Sequence, residues 1–128
     1  HPNEIEAVLS TLRDTFPMNR LIVIFQPHRY SRTRDLFNEF VSCLSKVDVL
    51  ILLNIYSANE APINTISSST LADSIRRRSS IDPIVAKNSS EIVEILPNVV
   101  TENDVILTLG AGDVHKIPQQ LKNHFAIN

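Results

Sequence analysis

The segment QPHRYSRTR (26–34) holds the densest group of side chains that could do chemistry in this chain. Four of them are basic and fall within seven positions: His28, Arg29, Arg32 and Arg34. A guanidinium group binds a carboxylate or a phosphate through two parallel hydrogen bonds, so such a cluster is typical of an anion site. Cations at the start of a helix are unfavourable, however, unless an anion or an acidic side chain lies close by.

Two interpretations of this segment follow from the residues around it. A helical pattern begins at about residue 33, and Ser31 or Thr33 is predicted to cap it. A bound anion would balance the arginines at that helix N-terminus. Solvation, or pairing of the arginines with Asp35 and Glu39, would balance them as well, and the residues alone leave both alternatives open.

The glycines mark a second candidate segment, LTLGAGDV (107–114). The chain has two glycines, Gly110 and Gly112, and both lie here. The turn therefore needs either a positive φ or a close backbone approach. It could present N–H groups to an oxyanion, or it could be only a tight strand-to-helix turn. It is not the dinucleotide-binding fingerprint, because His115 stands where the third glycine would be needed.

A third candidate segment is NIYSANEAPIN (54–64), which contains Tyr56 and Glu60. A loop at this position could cover or orient a ligand, or it could be structural. Elsewhere we find no spacing typical of metal ligands, no nucleophile with a matching base, and no G-x-x-x-x-G-K-[ST] phosphate loop. We therefore assign no catalytic residue and no metal ligand to this chain, and any phosphate-holding parts must lie elsewhere.

The elements that position these segments follow from the spacing of apolar residues. Helices are predicted at about 4–16, 33–45, 68–78, 89–96 and 118–125, with Asn3 as the N-cap of the first. Apolar runs predict strands at about 20–25, 48–53, 83–87 and 104–109. Alternating helices and buried strands indicate an α/β fold with a mostly parallel sheet covered on both faces. Ligands bind beyond the carboxyl ends of such strands, where all three candidate segments lie.

Composition limits the classes of function. The chain has 128 residues, which suits one domain, and its net charge of -2 gives no reason to expect nucleic-acid or membrane binding. No apolar run reaches the roughly 18 residues of a membrane span. The single cysteine, Cys43, fits a reducing cytoplasm and is predicted to be a small core residue. The run Arg76–Arg78 is predicted to be structural or solvated.

Four stretches together resemble the C-terminal domain of the Mur ligase family, in the branch that adds L-alanine to UDP-N-acetylmuramate. They are HPNE, VIFQPHRYSRTRDLFNEF, DVLILLNIYSANEAPI and VILTLGAGDV, and they cover nearly the whole chain in the family's order. Departures are Asn3 for Thr, Asn59 for Gly, Leu109 for Gln and Asp113 for Asn. None of them falls in the arginine segment.

The resemblance implies a three-layer Rossmann-like fold and one domain over residues 1–128, the last of three in an ATP-dependent ligase of peptidoglycan synthesis. Such a ligase phosphorylates the muramate carboxylate, and the alanine amine then attacks the acyl phosphate. A UDP-sugar domain and a central domain that holds ATP and Mg²⁺ would precede this chain. The start at His1-Pro2 without a methionine agrees with that expectation. The chain would pack against the central domain in the cytoplasm and be inactive alone.

Residue roles also follow from the resemblance. His28, Arg29 and Arg32 match the family's His-Arg-x-x-Arg and would bind the substrate, with an arginine holding the alanine carboxylate. His1 would lie at the domain junction or on the nucleotide side. The remaining candidates are loop contacts: Tyr56, Glu60, Gly110 and Gly112. The alternative from a different class is a stand-alone α/β module that binds an anion or a nucleotide for regulation or interaction.

Overall fold

The architecture is a four-stranded sheet between two layers of helices. The computed structural model describes residues 1–125. The helices are α1 (Pro2–Thr15), α2 (Tyr30–Asp35), α3 (Phe37–Leu44), α4 (Ser68–Arg78), α5 (Ser89–Ile95) and α6 (Ile117–Phe125). The strands are β1 (Leu21–Gln26), β2 (Val49–Leu53), β3 (Ile84–Ala86) and β4 (Val105–Gly110). Short 3₁₀ turns lie at Leu96–Asn98 and Asp113–Lys116.

All four strands are parallel, in the order β3-β2-β1-β4. The central strand β1 is buried at every position, as a strand covered on both faces must be. Its neighbour β4 lies at the edge, and Ile106 there is 37% exposed. The expectation of a parallel sheet is confirmed, although the fourth strand is only partly buried because nothing in the described residues pairs with its outer edge.

Two separate cores confirm the three layers. Alternate residues of β1 and β2, such as Val23 and Leu52, pack against α1, α3 and α4. The intervening residues, such as Ile24 and Ile51, pack against α5 and α6. The first core also contains Cys43, which is fully buried, and burial raises the pKa of its thiol to about 11. The prediction of Cys43 as a core residue is therefore confirmed.

Two local predictions were wrong. The helix predicted at 33–45 is divided into α2 and α3, because Leu36 leaves the helical conformation with φ -113° and ψ 20°. The cap of α1 is His1 and not Asn3: the Asn3 N–H donates to His1 Nδ1 at 3.1 Å. Pro2 then occupies the first helical position, where its missing N–H costs nothing.

No helix among the described residues combines the length and the apolar character of a membrane span.

The arginine run at the end of α4 is structural, as predicted. Arg76 bonds Asp73, Asp82 and the Pro83 carbonyl, at distances of 2.9, 2.6 and 2.6 Å, and so fixes the turn from α4 into β3.

Candidate functional site

The three candidate segments meet at the carboxyl edge of the sheet, because β2, β1 and β4 are neighbours. Pairing between β1 and β2 continues past the strands through a bridge between His28 and Tyr56. The Arg29 N–H donates to the Tyr56 carbonyl at 2.8 Å, and the Tyr56 N–H donates to the Pro27 carbonyl at 2.9 Å. The arginine segment and the loop after β2 are thus fixed to each other by the main chain.

A cavity of about 440 Å³ opens between this edge and α1. Its polar lining consists of His1, Glu4, Gln26, His28 and Arg32. Its apolar lining consists of Ile5, Val8, Phe25, Phe40 and Leu109, and the turn after β4 closes it with Gly110 and Ala111. A mixed lining of this kind, with a few convergent polar groups, is typical of a small-molecule site.

Arg32 is distinguished from most other arginines by its lack of a partner. Of the eight arginines in the chain, Arg29 and Arg32 alone have side chains that form no hydrogen bond or ion pair within the described residues. Arg34 instead bonds its neighbour Asp35 at 2.9 Å. Since Arg32 lines the cavity, its guanidinium is available to an anion there. Arg29 is exposed and does not line the cavity.

Glu60 supplies the acidic group that the start of α2 requires. One carboxylate oxygen accepts the Ser31 N–H at 3.0 Å, and the other accepts the Ser31 hydroxyl. These bonds, from the hydroxyl first and the N–H second, lower the pKa of Glu60, and the charge of Arg29 adds a smaller effect. The prediction that Ser31 or Thr33 caps this helix was wrong, because neither side chain accepts a helix N–H and the cap comes from the loop after β2.

His28 and Tyr56 pack against each other between the arginine segment and the loop after β2. Their rings stack with centroids 5.9 Å apart and planes inclined by 17°. Arg29, which follows His28, has a positive φ of 68°, a conformation that costs energy in a residue other than glycine. The backbone turn at Arg29 is held by its N–H bond to Tyr56 and carries the chain from His28 into α2.

His1 reaches the same cavity from α1. Its Nδ1 accepts the Asn3 N–H, so in the neutral ring the proton lies on Nε2. The structure therefore brings together four of the predicted site residues, namely His1, His28, Arg32 and Gly110, around one space. Tyr56 and Glu60 hold neighbouring residues in place: Tyr56 stacks on His28, and Glu60 accepts the Ser31 N–H.

Both glycines are required by geometry, as the sequence predicts. Gly110 has φ +114°, and a Cβ there would lie 2.0 Å from the Gln26 carbonyl oxygen. Gly112 has φ +89°, and its Cβ would lie 2.8 Å from Cδ2 of Tyr56. The turn after β4 thus packs directly on the end of β1 and on the ring that supports His28.

Gln26 is the site residue that the sequence reasoning missed. It is buried at 6% exposure between the three loops, although it is polar. A signal was present, because this glutamine ends an otherwise apolar run, RLIVIFQ. Its partners, however, are the Asn54 carbonyl and the Val114 N–H, 28 and 88 residues away, so no local pattern identifies them.

The described residues do not fit a Mg²⁺ site of their own. Within residues 1–125, no group of three His, Cys, Asp or Glu side chains is placed to hold a metal ion. The Val114 N–H, which could have faced an oxyanion from the glycine turn, is instead bonded to Gln26 at 2.9 Å. With Arg32 and His28 in its lining, the cavity is suited to a small anion or zwitterion.

Comparisons with known proteins identify relatives of this chain. The UDP-N-acetylmuramate–L-alanine ligase of Vesicomyosocius okutanii subsp. Calyptogena okutanii is 59% identical over 125 residues, and the equally named protein of Ruthia magnifica subsp. Calyptogena magnifica is 58% identical. Each alignment covers 98% of this chain but 27% of the relative, so the chain spans about a quarter of the length of these curated relatives.

A solved structure shows the same fold. The crystal structure of the UDP-N-acetylmuramate-alanine ligase of Thermotoga maritima matches with a TM-score of 0.76 at 23% identity, over 98% of this chain and 25% of that one. The family model described as "Mur ligase, glutamate ligase domain" matches residues 1–112. The chain therefore belongs to the Mur ligase family, in which it corresponds to that domain.

Proposed function

We propose that this chain is the amino-acid-binding C-terminal domain of an ATP-dependent ligase that joins L-alanine to UDP-N-acetylmuramate in peptidoglycan precursor synthesis. The names of its close relatives support the reaction. The observation that carries the role of this domain is Arg32, an arginine without a partner in a cavity at the carboxyl edge of the sheet. The ligase would work in the cytoplasm, and residues 1–128 would be one of its domains.

Arg32 would hold the carboxylate of alanine by two parallel hydrogen bonds. His28 would lie against the same end of the amino acid, its ring held in place by Tyr56. The apolar lining of the cavity offers the methyl group a dry surface. Glu60 would act indirectly, because it neutralises the start of α2 and so leaves Arg32 free to bind the substrate.

Arg29 and His1 have complementary proposed roles. Arg29 is exposed, so it would contribute a second cation near the site without forming its floor. His1 lines the same cavity, and its proposed role is a contact at the junction with the central domain or on the nucleotide side.

ATP and Mg²⁺ would be held mainly by the central domain of the ligase. The chain would pack against that domain with the open side of its cavity, and it would not turn over ATP alone. Domain closure would bring the bound amino acid to the activated muramate carboxylate and exclude water.

The test is steady-state kinetics of the full-length ligase with Arg32→Ala, Arg32→Lys and Arg29→Ala. Loss of a bidentate charge-assisted contact should raise the alanine KM of Arg32→Ala by about 30- to 100-fold. The Arg32→Lys variant keeps the charge without the planar fork and should fall between. Arg29→Ala should have a smaller effect, because Arg29 lies outside the cavity lining.

Arg34→Ala is the matched control, because Arg34 lies on the same short helix and is already paired with Asp35. It should have a KM close to that of the unmodified enzyme. A normal alanine KM and kcat in both Arg29→Ala and Arg32→Ala would refute the assignment of this cavity to the amino acid.

A further inference from the structure

Gln26 is a buried polar side chain that bonds both the first residue after β2 and a residue after β4, and it ends the strand that leads into the arginine segment. We propose that Gln26 is a positioning residue: it sets the relative placement of the loop after β2 and the turn after β4, and through them the placement of His28. This inference rests on the proposed function, because the site that Gln26 positions is the amino-acid site.

Both polar atoms of the Gln26 side chain are used by the protein. Nε2 donates to the Asn54 carbonyl at 3.1 Å, and Oε1 accepts the Val114 N–H at 2.9 Å. The orientation of the amide is determined by these partners, because the reverse orientation would face a carbonyl with an oxygen and an N–H with an NH₂ group. One N–H of Nε2 and one acceptor site of Oε1 are therefore used within the protein, and through these two bonds Gln26 acts on its neighbours.

The turn after β4 is packed on Gln26 as well as bonded to it. The Gln26 carbonyl oxygen accepts the Ala111 N–H at 3.4 Å, and a Cβ on Gly110 would lie 2.0 Å from that oxygen. A Cβ on Gly112 would lie 3.0 Å from Oε1. Both the main chain and the side chain of Gln26 thus lie against the turn that closes the cavity.

Gln26 is also connected to the substrate-binding side chains through the loop after β2. Asn54 is the first residue after β2, and Tyr56 follows two positions later, where it pairs with the arginine segment and stacks on His28. The bond from Gln26 to Asn54 therefore fixes the start of the loop that supports His28. Gln26, at the end of β1, is therefore bonded both to the loop after β2 and to the turn after β4.

Glutamine is required because a single side chain must both donate to a carbonyl and accept from an N–H. Methionine has the same length but does neither. Ionised glutamate accepts from Val114 but repels the Asn54 carbonyl. Protonated glutamate can make both bonds, so Gln26→Glu should regain them as the pH falls.

The experiment measures alanine kcat and KM of the full-length ligase with Gln26→Met and Gln26→Glu. Both variants should lose about tenfold or more in kcat/KM near neutral pH, because small misplacements of substrate-holding groups are costly. Relative to the unmodified enzyme at each pH, Gln26→Glu should recover as the pH falls, whereas Gln26→Met should not. Gln119→Met and Gln119→Glu are matched controls on the exposed face of α6 and should show neither effect.

A spectroscopic measurement keeps the two proposals separate. In the 128-residue chain, Gln26→Met should shift the Val114 amide and the ring signals of His28 and Tyr56, whether or not the ligase uses alanine. If the unmodified ligase does not use alanine, the proposed function is refuted. The spectroscopic measurement still tests the role of Gln26 in that case.

Three results would overturn the inference. One is unchanged kcat and KM in both variants; another is a lower melting temperature with unchanged kcat and KM, which would indicate a purely structural residue. The third is a loss in Gln26→Glu that does not vary with pH relative to the unmodified enzyme. If Gln26→Met does not fold, the pH comparison of Gln26→Glu decides alone.

Discussion

The two ends of the sheet use the same residue types in opposite ways. At the amino end, Arg20 bonds Asp104 at 2.7 Å and Arg13 bonds Asp48 at 2.8 Å. Each of these carboxylates also accepts a main-chain N–H, from Thr101 and Leu21 respectively. At the carboxyl end, Arg32 has no such partner within the described residues and faces a cavity.

The difference shows what separates a structural arginine from a binding one. Where a carboxylate is supplied by the chain, the guanidinium connects segments that are distant in sequence. At the carboxyl end the available carboxylate, Glu60, is used by Ser31 instead, so the arginine charge stays available. A structural arginine and a binding arginine therefore differ in whether the guanidinium has a carboxylate partner in the chain, and not in residue type.

The largest expected effect comes from Gly110, at the carboxyl end. In Gly110→Ala the new Cβ would meet the main-chain oxygen of Gln26, which cannot move away, and we expect a loss of more than about 3 kcal/mol in free energy of unfolding. Gly112→Ala should cost less, about 1–3 kcal/mol, because its Cβ would meet side chains, of Tyr56 and Gln26, and not the main chain. Urea denaturation of both variants measures the difference, and equal costs would contradict the packing described.

A smaller effect is expected at the amino end, from Asp104→Asn. The side chain of Asp104 is 4% exposed while that of Arg20 is 42% exposed. Partial screening therefore limits the expected loss to about 1–2 kcal/mol in free energy of unfolding. The alanine KM of the full-length ligase should not change. Asp35→Asn, which alters an exposed pair, is the control, and a raised alanine KM in Asp104→Asn would break the separation between the two ends.

The smallest effect is the pH dependence of that same pair. The bond from Arg20 lowers the pKa of Asp104 to about 2, against a value of about 3.9 in an unfolded chain. As the pH falls from about 4 to 2, the unfolded state binds the proton first, so the stability contributed by Asp104 is lost across that window. Acid denaturation curves of the unmodified chain and Asp104→Asn should converge there; parallel curves would show that ionisation of Asp104 does not contribute to stability.

The sequence predicts the sheet better than the site. Continuous apolar runs locate all four strands within one or two residues, because burial on both faces leaves a local signal. The division at Leu36 is hidden, since the apolar spacing from Leu36 to Leu44 continues without a break and only the conformation of one residue changes. Local chain energetics do not determine such a change.

Site details depend on contacts that are distant in sequence. The glycine turn could be predicted, because an unusual residue marks an unusual backbone conformation. The capping of α2 by Glu60 could not, since it requires knowledge that the loop after β2 folds back over the arginine segment. The same applies to Gln26, whose partners become neighbours only when the sheet has formed.

The position of β1 between β2 and β4 has a consequence for synthesis on the ribosome. Arg20 and Asp104, which immediately precede the paired strands β1 and β4, are 84 residues apart, and the polypeptide emerges from its N-terminus. A nascent chain therefore exposes one apolar edge of its central strand until almost all of this region has been translated, which makes it a substrate for chaperones. Completion of the fold and creation of the cavity are then a single late event, so a prematurely terminated chain would lack both.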